Sequence, residues 1–147
     1  VTENKDIIVL FVMVNSIGHL NPSFALAKKL SSNTHAKVIF LSPLDTVEII
    51  QSNGFEYVSC STIIFKGVTP YTDDTGFWSR LASVLSNQGL KFAKENGDIF
   101  SETVAEINPD IVLLDSMLSY NFLYLRNKYP VILILSSPEI GLHSHWP

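Results

Sequence analysis

The sequence predicts a doubly wound α/β domain built on a Rossmann-like parallel sheet, and three observations carry that reading. Predominantly apolar runs, several rich in β-branched residues, recur at positions 7–14 (IIVLFVMV), 36–41 (AKVIFL), 111–114 (IVLL) and 131–135 (VILIL), as expected of strands buried on both faces. Stretches with helical spacing separate these runs, which is the alternation that builds βαβ units. The chain also has the size and composition of a single domain, with 147 residues, 46% of them hydrophobic and 16% charged. Such a domain hides roughly two-thirds of its unfolded surface, and a mean hydropathy of +0.24 is far from the disordered range.

The first strand spans 7–14. Asn21 then offers a cap and Pro22 suits the first helical position, so a helix is expected from Pro22 to Ser32, with Phe24, Ala25, Leu26, Ala27 and Leu30 as its apolar set. The second strand is 36–41. A short helix starts at Ser42 and Pro43 and runs to Ser52, where Asn53 and Gly54 end it. A weaker third strand follows at 55–59.

Periodicity is lost from Cys60 to Thr75, a loop longer than ordinary connections. Helical spacing returns from Gly76 to Ile107 through Phe77, Leu81, Val84, Leu85, Phe92, Ile99, Phe100, Val104 and Ile107, with a break expected at Asn96 and Gly97. Pro109 closes that element. Strand four is 111–114, ending at Asp115, a helix spans Ser116 to Lys128, strand five is 131–135, and 136–147 reads as loop.

Right-handed crossovers send strands two and three outward on one side of strand one and return strand four to its other side. The carboxyl ends of strands one and four then flank the switch-point crevice, where ligands bind in this class of fold. The residues just past those ends are 15–21 and 115–119.

The composition and the motifs exclude several function classes. A net charge of −4 gives no field for a polyanion, so nucleic-acid binding by a basic face is not expected. Cys60 is the single cysteine, and with four scattered histidines it makes neither a disulfide nor a Cys-rich zinc site. No run is long enough to span a membrane, and the polar opening residues lack a signal peptide's layout. A cytoplasmic setting is therefore expected, and a chain opening on Val1 is expected to have been trimmed upstream. The loop after strand one holds one glycine, Gly18, so the three-glycine dinucleotide fingerprint and the glycine-lysine-serine/threonine phosphate loop are both absent. A Rossmann oxidoreductase loses its main support there.

What the crevice does offer is His19 on one side and Asp115 on the other. A carboxylate that holds one imidazole nitrogen fixes the tautomer and stabilises the imidazolium, which makes the other nitrogen a general base for a hydroxyl. The helix start beside it can receive a phosphate. A purely structural reading stands next to this one, with His19 as a helix-flanking hydrogen bonder and Asp115 as the cap of the helix at Ser116.

Positions 8–41 resemble the opening of the GT-B glycosyltransferases, through Gly18-His19-Leu20-Asn21-Pro22, the Ala/Leu-rich run 24–30 and the strand entry His35-Ala36-Lys37-Val38. Positions 109–115 look like that family's fourth strand and 130–138 like its fifth. The likeness spans nearly the whole chain and is greatest to the macrolide and UDP-glycosyltransferase group. Where this group more often has Arg-Gly-His, this chain has Asn33-Thr34-His35, and His35 is read as a turn residue.

The resemblance implies the N-terminal, acceptor-binding domain (1–147, incomplete) of an inverting glycosyltransferase whose C-terminal nucleotide-sugar-binding domain is absent from this chain. His19 is then similar to the group's catalytic base and Asp115 to its orienting carboxylate, with Ser16 and Gly18 as donor-binding positions. Phe65, Trp78, Ser137, Glu139 and His143 are the acceptor-lining candidates. The donor is expected to be a UDP- or dTDP-sugar, the acceptor a small molecule bearing a hydroxyl, and no metal is expected. His143 and His145 lack further ligands, and Asp73 and Asp74 read as solvated charge. A non-catalytic half of a split glycosyltransferase is the other function this resemblance leaves open, and apolar surface left by truncation is expected to promote self-association.

Overall fold

The computed structural model describes residues 6–33, 35–60 and 87–135. Its centre is a five-stranded sheet formed by β1 (Ile7–Val12), β2 (Ala36–Ser42), β3 (Glu56–Ser59), β4 (Ile111–Asp115) and β5 (Val131–Ile134), in the order β3-β2-β1-β4-β5. Every pairing is parallel. Strand β1 is central, with Val9 to Val12 in register with Val38 to Leu41 on one side and with Ile111 to Leu114 on the other. This is the switch-point arrangement expected from the chain order, and β1 ends at Val12 rather than at residue 14.

Because successive strand residues point to opposite faces, the apolar runs build two cores. Val9, Phe11, Met13, Val38, Phe40 and Leu113 pack under helix α1 (Ile17–Asn33) and helix α2 (Val47–Ser52) through Leu20, Phe24, Ala27 and Ile50. Phe40 joins three rings there, its centroid 4.9 Å from that of Phe11, 5.3 Å from Phe24 and 5.2 Å from Phe55. Leu10, Val12, Ile39, Leu41, Val112 and Leu114 face the other way, against Phe100 and Val104 of helix α3 (Asn87–Ile107). Cys60, Leu118 and Leu125 complete that second core.

Several element boundaries differ from the expected ones. Helix α1 starts at Ile17, so Pro22 lies inside it and Asn21 is not its cap. The proline is tolerated because its ring crowds only the carbonyl of Gly18, in the exposed first turn. The buried stripe of α1 is Leu20, Ser23, Phe24 and Ala27, while Ala25 and Leu26 face solvent. Before α2 a 3-10 turn spans Leu44–Thr46, and the chain leaves α2 through Gly54 at φ +85°.

Helix α3 runs unbroken through Asn96 and Gly97, because Gly97 is helical and buried against Tyr124. It ends at Asn108, which takes the left-handed conformation at φ 50° with its N–H on the Val104 carbonyl. The segment after β4 is a 3-10 helix (Ser116–Asn121), kinked at Leu118, followed by the single turn α4 (Phe122–Leu125) rather than one long α-helix. The Asp115 carboxylate accepts the Met117 N–H there and tightens the first turn. Among the described residues β5 pairs with β4 alone, and Ile132 and Leu133 are 54% and 44% exposed where burial on both faces was expected.

Candidate functional site

The crevice lies between the carboxyl ends of β1 and β4. Past β1 the chain makes a short loop and enters α1, where the Ser16 carbonyl accepts both the His19 and Leu20 N–H groups, at 3.0 and 2.9 Å. That capping turn makes His19 the third residue of α1 and turns its ring back toward the sheet. Across the crevice Asp115 ends β4. His19 Nδ1 and Asp115 Oδ2 are 2.8 Å apart.

Asp115 is fully buried, whereas the His19 side chain keeps 18% of its exposure. The other carboxylate oxygen, Oδ1, accepts the Met117 backbone N–H at 2.9 Å. An ionised carboxylate only accepts, so with Asp115 charged it is Nδ1 that carries the hydrogen and Nε2 that keeps a lone pair. The arrangement can therefore take a proton at Nε2 while a buried, doubly held carboxylate stabilises the charge that develops on the ring.

No family model matches the chain. A demethyllactenocin mycarosyltransferase of Streptomyces fradiae is 22% identical over an alignment 147 positions long that covers 94% of this chain and 31% of that enzyme. Among solved structures, the glycotransferase of kitacinnamycin superposes with a TM-score of 0.63 at 21% identity, covering 90% of this chain and 31% of that one. The glycosyltransferase SnogD of Streptomyces nogalater gives 0.62 at 14% identity, covering 91% and 34%. The chain has the fold of the N-terminal half of a GT-B glycosyltransferase. It spans about a third of the length of the relatives it matches.

In this GT-B half, Ser16 and Gly18 both lie at the start of α1, Ser16 half-buried and Gly18 exposed. A β-carbon at Gly18 would meet only Ser16 Oγ, at 3.9 Å, so neither strain nor crowding requires glycine there. His35 is exposed, and its carbonyl takes the Ile7 N–H at the entry to β1, which is a structural role. The acceptor candidates Phe65, Trp78, Ser137, Glu139 and His143 lie outside the described residues, as do Asp73, Asp74, Phe77 and His145. Among the described residues no helix is long and apolar enough to cross a membrane.

Further polar contacts also shape the crevice. Asn15 Nδ2 donates to Asp45 Oδ2 at 2.8 Å and ties the loop after β1 to the turn after β2. The Met117 N–H holds Asp115 Oδ1 at 2.9 Å, which is the capping contact expected of Asp115 at the helix start. Ser23, buried one turn beyond His19, donates its hydroxyl to the His19 carbonyl at 2.9 Å. Its one sequence signal is the spacing of four residues from the histidine.

Proposed function

We propose that this chain is the acceptor-binding part of an inverting glycosyltransferase and that His19 is its general base. The observation that carries the reading is the 2.8 Å contact between His19 Nδ1 and the buried Asp115 carboxylate at the switch point. Nε2 takes the proton of an acceptor hydroxyl as that oxygen attacks the anomeric carbon of a nucleotide-sugar. The bond from that carbon to the diphosphate oxygen breaks, the nucleoside diphosphate leaves, and the configuration inverts. Asp115 stabilises the imidazolium through Nδ1–H, and the amino end of α1 favours the charge that gathers on the departing phosphate.

The donor, a UDP- or dTDP-sugar, is held mainly by a second nucleotide-binding domain, and the acceptor is a small hydroxyl-bearing molecule. The test is transfer by the full-length protein, followed by mass spectrometry over panels of nucleotide-sugars and hydroxyl acceptors. A mass gain of one sugar, lost in His19→Ala, is expected. A product formed equally well by His19→Ala would overturn the assignment of the base.

A further inference from the structure

Ser23 is 1% exposed and follows Pro22 in α1. Its Oγ lies 2.9 Å from the His19 carbonyl oxygen and 3.5 Å from Met13 Sδ. A hydroxyl has one hydrogen, so the shorter and more polar contact takes it, and the thioether packs behind. Pro22 has no N–H, so the Gly18 carbonyl loses its helical partner and the first turn of α1 is loosened from the helix body at that rung. At the next rung the Ser23 hydroxyl supplies a donor to the carbonyl of His19 itself.

The support behind Ser23 is fixed in its turn. Met13 donates its N–H to the Leu41 carbonyl at 3.0 Å, and its own carbonyl accepts Ser42 Oγ at 3.0 Å. The Ser42 carbonyl accepts the Tyr57 hydroxyl at 3.2 Å. A line of polar contacts thus crosses β3, β2 and β1 as far as the Met13 backbone, and the Met13 thioether packs against the helix turn that carries His19.

We propose that Ser23 is a positioning residue, whose hydroxyl holds the His19 carbonyl in the loosened first turn of α1 while its buried side chain packs on Met13, and which so keeps the His19 ring in line with Asp115. The kinetic consequence rests on His19 being the base; the structural one does not. Removing the hydroxyl lets the turn drift, and small misplacement of a reacting group costs rate rather than substrate affinity.

The test uses the full-length protein with Ser23→Ala and with Ser23→Cys, which nearly keeps the volume of the buried site and weakens the donor. Both are expected to lower kcat by roughly ten- to a hundredfold with little change in either KM. In a His19→Ala background neither is expected to lower the rate further. The hydrogen-bonded Nδ1–H resonance of His19, seen by proton NMR after histidine labelling with nitrogen-15, is expected to weaken and exchange faster in both variants. Unchanged kcat in both variants, or losses that persist in the His19→Ala background, would overturn the proposal. If His19→Ala itself transfers normally, the base assignment has failed, and the resonance still decides whether Ser23 holds the ring: an unchanged signal would overturn the positioning role.

Discussion

The ring of Tyr124 fills the space in which a β-carbon of residue 97 would stand, so Gly97 lets α3 close directly onto the α4 turn. The glycine is there for close approach and not for a bend. Alanine in a helix interior is favoured over glycine by about 1 kcal/mol, yet here it must push the ring aside, and overpacking costs about 1–3 kcal/mol. Gly97→Ala is therefore expected to lower stability by about 1 kcal/mol, and the same change in a Tyr124→Ala background to raise it by up to about 1 kcal/mol. Urea midpoints for the four proteins check the reversal of sign. Stabilisation with Tyr124 in place would mean that the ring swings away freely.

Asp110 guards the opposite end of β4 from Asp115. Its carboxylate accepts the Ile8 N–H at 2.8 Å while its own N–H reaches the Ile8 carbonyl at 2.9 Å, which starts the β1–β4 ladder. The two aspartates stand five residues apart on an extended strand, or roughly 16 Å. Asp110→Ala is expected to cost about 0.5–1.5 kcal/mol of stability through the lost hydrogen bond and to leave kcat unchanged below the melting transition. Thermal melts and rates measured on one preparation separate the two effects, and a fall in kcat without a fall in stability would contradict the division.

The strands and their order were legible because a parallel sheet needs strands that are apolar on both faces, and runs such as 7–14 and 111–114 permit little else. The approach of His19 to Asp115 follows from that order, since the crossover rule alone brings the ends of β1 and β4 together. Helix ends were harder to read. Pro22 suits a first helical position, but it is also tolerated deeper when the carbonyl it crowds can tilt outward, and the sequence does not distinguish the two cases. Asn96-Gly97 has the composition of a breaker, and only the packing of Tyr124, twenty-seven positions later, explains it. The run 131–135 has the same apolar character as a buried strand, and nothing in its residues says that Ile132 and Leu133 stand exposed among the described residues.

The 147-residue chain by itself is expected to show no measurable sugar transfer and only weak affinity for nucleotides, if the donor site lies mainly on a second domain. It is also expected to self-associate. Neighbouring strand residues point to opposite faces, so Ile132 at 54% and Leu133 at 44% exposure present apolar surface on both sides of β5, with Leu123 at 53% and Leu135 at 81% adding to it. Sedimentation velocity over a concentration series and calorimetry with a nucleotide-sugar give the two readouts. Tight binding of a nucleotide-sugar to this chain would contradict the assumed division between acceptor and donor halves.

The strongest expectation concerns the dyad itself, in the full-length protein. His19→Ala removes the proton acceptor, and loss of a positioned base typically costs about a hundred- to ten-thousandfold in rate. Asp115→Asn nearly keeps the shape and, with its amide oxygen on the Met117 N–H, turns its amino group toward His19. That amino group donates, so Nδ1 must accept, and the hydrogen moves to Nε2, where the lone pair was needed. The single substitution therefore both discards the stabilising charge and selects the wrong tautomer, and a loss comparable to that of His19→Ala is expected. If the Asp115 charge serves transfer only through His19, the double variant should be no slower than His19→Ala alone. The measurement is a double-mutant cycle on the transfer rate at saturating donor and acceptor, with urea midpoints to remove any contribution from unfolding. Losses that multiply would show that the 2.8 Å contact serves the fold, with Asp115 closing the turn at Met117 and His19 merely lying beside it.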